Sequence, residues 1–171
     1  MHIYCIHYIS ILHNMTPPPL PSGGCHEPVL SLPLPQAHFI WRCAWLSVPS
    51  AIYAATTTHL ALVPASVFAT SLLYWRNPVR DSWRRTLDMS VVFSGVTYQT
   101  YYAFKHIHGM SSSAIGIYTA LIGCSAACYG LSQYLLNRGH IWPATYAHAS
   151  IHLVANVANF VLYDAITKTA E

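Results

Sequence analysis

In the run Thr145 to Tyr163 (TYAHASIHLVANVANFVLY), His148, His152, Asn156 and Asn159 follow one another at steps of four, four and three. On a helix that spacing stacks them on one face, and Tyr163 continues the stripe. The HxxxH pair sets two imidazoles one turn apart, which is how a single helix offers two nitrogens to one metal ion. Zinc bound to His148 and His152 would lower the pKa of a bound water toward ~7 and polarise a carbonyl. Asp88 is the acid to take that water's proton, and Ser71 the hydroxyl to hold a developing oxyanion. The same stripe has a plainer reading, in which Asp88, His148, His152 and Asn156 only hydrogen-bond to one another inside a bundle.

The elements that carry these residues are apolar. Of 171 residues, 54% are hydrophobic and 8% charged, against roughly 25% charged in soluble domains. Mean hydropathy is +0.36. The apolar residues fall in blocks close to the ~20 that cross a bilayer as helix, so the expected fold is an all-α, polytopic transmembrane bundle of about five spans. The spans lie near residues 39–55, 60–75, 87–104, 114–136 and 145–163. One helix over 39–75 would be about 55 Å long, too much for a ~30 Å hydrocarbon core, so Thr56 to His59 is read as a tight turn. Pro49 is a candidate kink in the first span.

Residues 1–36 form a leader, Pro-rich over Thr16–Gln36 and expected to be extended or disordered, ahead of a bundle over 37–171. His26 and Glu27 read as solvated loop residues, and His106 and His108 as interfacial ones. Ser111 to Ser113 supply an N-cap for the fourth span. Within that span Gly123 with Ala127 and Ala126 with Gly130 are small-xxx-small pairs that let helix backbones approach closely. Cys124 and Cys128 share a face there and read as buried packing residues; the five cysteines give no disulfide framework.

Net charge is +3, but its placement says more. Arg76, Arg80, Arg84 and Arg85 sit in one loop between spans, a signal for the cytoplasmic side of a membrane and not a nucleic-acid patch. With that loop cytoplasmic, alternation of the spans puts Ser71, Asp88, His148 and His152 in the same half of the bilayer, within about 12 Å of its edge by the helical rise. Along the third span Asp88, Gly95, Gln99 and Tyr102 share a face.

With these residues placed, the chain resembles the superfamily that joins alkaline ceramidases with the progestin and adiponectin receptors. Ser71-Leu72-Leu73-Tyr74-Trp75 stands for its Ser-x-x-x-His near the end of one span. Arg85-Thr86-Leu87-Asp88-Met89 stands for its Asp near the start of the next, and His148-Ala149-Ser150-Ile151-His152-Leu153 for the HxxxH of its final span. The resemblance implies a seven-span bundle holding zinc through three histidines, with the serine and aspartate beside the metal-bound water, and hydrolysis of amide bonds in ceramide-like lipids. This chain offers about five spans, and Trp75 stands where the third histidine would be, leaving Asp88 or His140 as candidates for a third ligand. The stretch YWRNPVRDSWRRTLDM is also similar to one found in small multi-span membrane proteins, which implies membership and no activity.

Three functions follow as expectations. One is a membrane-embedded, zinc-dependent hydrolase of a lipid amide or ester, taking its substrate from the bilayer. The second is a noncatalytic relative or assembly component with a structural Asp/His/Asn network. The third is a small transporter or proton conductor lined by His148, His152, Asn156, Asn159, Gln99 and Tyr102, which with about five spans requires a homo-oligomer.

Overall fold

The structure is a computed structural model that describes residues 29–105 and 111–170. The first 28 positions, with His26 and Glu27, and the connection holding His106 and His108 lie outside the described residues. Among the described residues every regular element is helical. In chain order they are α1 (Leu34–Ala44), α2 (Ser47–Thr57), a 3₁₀ turn (His59–Ala61), α3 (Leu62–Trp75), α4 (Trp83–Lys105), α5 (Ser112–Asn137) and α6 (Ile141–Ala170). Two stretches, Ser112–Asn137 and Ile141–Thr169, are long and apolar enough to cross a membrane, and His59–Trp75 is a shorter apolar helix.

Proline and glycine punctuate these helices where their chemistry requires. The expected first span is two helices, α1 and α2, broken at Trp45 and Leu46 instead of at Pro49 itself. A proline at position 49 cannot donate to the carbonyl of Trp45, and Val48 N–H takes that carbonyl in a tighter bond at 3.1 Å. Pro49 then sits in the first turn of α2, where a missing N–H leaves no bond unmade. Pro35 does the same in α1, which begins at Leu34, inside the segment expected to be extended as far as Gln36. Between α2 and α3, Thr58 is extended and its hydroxyl accepts the N–H of Leu60 at 3.1 Å, which makes the tight turn expected there. Ser82 caps α4, its Oγ accepting from Arg85 N–H. Gly139, at φ 78°, closes α5: its N–H bonds to Leu136 and that of His140 to Leu135.

Ser111 occupies the N-cap of α5, but its hydroxyl pairs with that of Ser113 and caps no backbone group.

Successive helices run up and down. α1 and α2 run together, α3 returns, α4 goes up, α5 returns and α6 goes up. Trp142 and Tyr146 at the start of α6 meet Phe39 of α1 edge-on at 6.3 and 5.5 Å. Ser31 N–H bonds to Pro78 carbonyl and Arg80 N–H to Val29 carbonyl, tying the chain before α1 to the α3–α4 loop. The start of α1, the end of α3, the start of α4 and the α5–α6 turn therefore share one end of the bundle. Every arginine of the chain, from Arg42 to Arg138, lies toward that end, whereas Lys105 and Lys168 lie at the other.

Two core clusters follow. One holds Leu60, Ala103, Ile115, Tyr118, Leu162 and Tyr163 away from the arginine end. The other holds Leu32, Ala37, Ile40, Tyr74 and Trp75 near it. Helix α4 buries Asp88, Gly95, Gln99 and Ala103 along one stripe, so the expected face forms through Gln99 and then continues at Ala103, with Tyr102 only half-buried. Gly95 is there for contact: a Cβ on it would stand 2.8 Å from Val63 Cγ1 on α3. Helix α5 turns Ile115, Tyr118, Ser125 and Ser132 inward. Its small residues do not pack as expected. Gly123, Ala126, Ala127 and Gly130 face outward, and a Cβ on either glycine would meet nothing within 4 Å. Cys124 shares that exposed face and Cys128 is half-buried, so neither is a core thiol.

Candidate functional site

Asp88 enters the bundle from the second turn of α4 and is buried at 6% exposure. Its Oδ1 accepts from the hydroxyls of Ser71 and Thr70 on α3, both at 2.9 Å. Because α3 and α4 run antiparallel from the same loop, residues near the end of one meet residues near the start of the other. Ser71 was legible as a candidate. Thr70 was missed, since a threonine in an apolar helix reads as bonded to its own backbone, and this one does also reach the carbonyls of Ser66 and Val67.

The histidine pair forms on α6 as its spacing requires, with ring centroids 6.1 Å apart. His148 is half-buried between aromatic neighbours. The Trp75 indole meets it edge-on at 4.8 Å and Tyr129 of α5 lies at 6.3 Å. His152 is buried, and its Nε2 has no hydrogen-bond partner. One turn on, Asn156 is buried and fully engaged. Its Oδ1 accepts from Ser50, and its amide donates to Ser47 Oγ at 3.2 Å and to the His152 carbonyl. Asn159 is half-buried and makes no side-chain hydrogen bond among the described residues. Tyr163 ends the stripe fully buried, accepting from Gln99 Nε2 at 2.6 Å.

The candidate residues thus gather toward the arginine end, but as pairs. Ser71 meets Asp88, and His148 meets His152. Among the described residues no set of three His, Cys, Asp or Glu side chains could hold a metal ion. Asp88 spends its bonded oxygen on two hydroxyls, and His140 is exposed in the α5–α6 turn. At the position of a third histidine stands Trp75, whose indole packs edge-on against His148 and whose protonated ring nitrogen offers no lone pair to a metal. A catalytic zinc needs three protein ligands and an open fourth position, and these residues do not make one. Ser47 and Ser50 are the site residues that sequence reasoning missed; their spacing of three about Pro49 was the available signal. Comparison with protein-family models, with curated proteins and with solved structures gives no match.

Proposed function

We propose that this chain is a noncatalytic helical membrane protein, crossing the bilayer about five times with its arginine-bearing end on the cytoplasmic side. In this reading its buried polar side chains serve as fasteners between helices. The observation that carries the reading is the engagement of Asp88. A general base works on a reactant that its catalytic partners hold, and among the described residues Asp88 is hydrogen-bonded to two hydroxyls of α3 and to neither histidine. Asn156 and Tyr163 repeat the pattern, each serving a neighbouring helix. The two long apolar helices and the arginines gathered at one end support insertion in a membrane.

The test has two parts. Membranes from expressing cells are washed at alkaline pH, which strips peripheral proteins, and the chain is expected to stay in the pellet; release into the wash would refute membrane insertion. Protein purified in neutral detergent from zinc-supplemented cells is then assayed for metal. Wild type and His148→Ala/His152→Ala are expected to carry the same, substoichiometric zinc. One zinc per chain, lost in the double variant, would restore the hydrolase reading.

A further inference from the structure

At the arginine end, His38, Trp41 and Arg42 on α1 and Arg76 just after α3 line an open cavity of about 270 Å³. We infer that this cavity binds a phosphate group, as carried by the headgroup of an anionic phospholipid.

Three observations bear on it. Two arginines and a histidine are among the four lining residues, and no carboxylate is. Among the described residues neither guanidinium has a carboxylate partner, the ion pair there joining Lys168 to Asp164 at the opposite end of the bundle. One wall is also braced by aromatic packing. Trp41 packs edge-on against Trp45 at 6.0 Å, Trp45 against Phe68 of α3 at 5.1 Å, and Ile40 and Trp75 beneath are buried in one cluster. Guanidinium groups match phosphate oxygens with paired N–H donors, and a basic pocket between helices near a membrane surface suits an anionic headgroup. An indole beside the charges fits the headgroup level, where tryptophan is enriched. The volume lies just under the ~300 Å³ at which small-molecule pockets begin, enough for a headgroup with the acyl chains left outside.

The phosphate chemistry stands on these four side chains; only its lipid source rests on the membrane reading proposed above. Full-length protein in neutral detergent at about 0.15 M salt, where surface charges beyond ~8 Å are screened, is followed by thermal shift against three probes. These are short-chain phosphatidylglycerol, short-chain phosphatidylcholine and inorganic phosphate. Phosphatidylglycerol is expected to stabilise wild type, with apparent affinity falling about fivefold for each of Arg42→Gln and Arg76→Gln. Phosphatidylcholine, whose charge is balanced, should do little. Arg138→Gln, at the same end but outside the cavity, should change affinity less than twofold. Should the Gln variants fail to fold, Arg42→Lys and Arg76→Lys keep the charge but lose the paired donors, and are expected to bind more weakly than wild type. Equal binding by all variants, or an equal loss in Arg138→Gln, would replace the pocket with diffuse surface attraction and overturn the proposal. Arginine-dependent stabilisation by inorganic phosphate and not by the lipid keeps the site and makes its ligand soluble. If alkaline washing releases the chain while that response persists, the membrane reading fails and the phosphate site stands.

Discussion

Replacing Asp88 separates its two readings, because alanine and asparagine remove different things. Asn keeps an Oδ1 that can accept from both Ser71 and Thr70, while Ala removes the acceptor. The carboxylate's other oxygen makes no bond and is not sealed off, so an amide placed there strands no donor in a closed pocket. In Asp88→Ala the Thr70 hydroxyl falls back on the Ser66 carbonyl at 3.1 Å, whereas Ser71, 2% exposed, has no second bond in place and must turn to a carbonyl of its own helix. The loss is then the hydrogen bonds to Asp88 plus a small cavity, about 2 kcal/mol. Asp88→Asn should stay within about 1 kcal/mol of wild type, and Ser71→Ala should lose about 1 kcal/mol, as buried hydrogen bonds between membrane helices do. The assay is reversible unfolding in mixed lipid and denaturing-detergent micelles, read by far-ultraviolet circular dichroism. In a double-mutant cycle, Ser71→Ala in the Asp88→Ala background should cost almost nothing further, leaving a coupling of about 1 kcal/mol. Additive losses, or Asp88→Asn as damaging as Asp88→Ala, would refute the fastener and return the carboxylate's charge to the centre of the problem.

Two other substitutions test the packing and the unpaired imidazole. Gly95→Ala forces a Cβ to 2.8 Å from Val63 Cγ1, so overpacking of about 2 kcal/mol should outweigh the ~1 kcal/mol that alanine gains in helix propensity; Val63→Ala should relieve it, whereas Gly123→Ala, with open space, should be neutral or stabilising. His152→Leu removes a buried nitrogen that has no partner, so unfolding in the same micelles should show stability unchanged or raised by about 1 kcal/mol, and a loss above 2 kcal/mol would reveal a partner that the described residues do not supply.

What was legible in the sequence was periodicity. The inner stripe of α4, Asp88 with Gly95 and Gln99, and that of α6, His152 with Asn156 and Tyr163, are buried where a 3.6-residue repeat puts them. Partners were not legible. Ser47, Ser50 and Thr70 have short hydroxyl chains equally at home on their own backbone, so nothing local announces that they serve another helix. The glycines of α5 marked a smooth surface but not its direction, and the fold turns that surface outward. Depth correctly brought Asp88, Ser71 and the histidines toward one end. Depth fixes only one coordinate, however, and the rotation of α3 that gives Ser71 to Asp88 and Trp75 to His148 could be set only by packing.

The fasteners share a chemical asymmetry that explains which residues had to pair. Inside a helix the backbone N–H groups beyond the first turn are already used, while carbonyls can still accept a second bond from a hydroxyl or amide. A donor can therefore satisfy itself on its own helix, as Thr70 does on Ser66 and Ser50 on Ser47. An acceptor oxygen cannot. Of the buried acceptors, Asp88 Oδ1, Asn156 Oδ1 and Tyr163 Oη are each served from another helix, by Ser71 with Thr70, by Ser50, and by Gln99, whereas Gln36 Oε1 has no partner among the described residues. Helices inserted singly into lipid would hold their hydroxyls at little cost and their acceptors at several kcal/mol each. In a bilayer, assembly would be favoured at the acceptor positions, which join α3 to α4, α2 to α6 and α4 to α6. Helix α5 meets its neighbours through two polar contacts of its own. Ser132 donates to the Ala144 carbonyl of α6 and the Tyr118 hydroxyl pairs with that of Thr100 on α4, so packing and these two bonds together hold α5 in place.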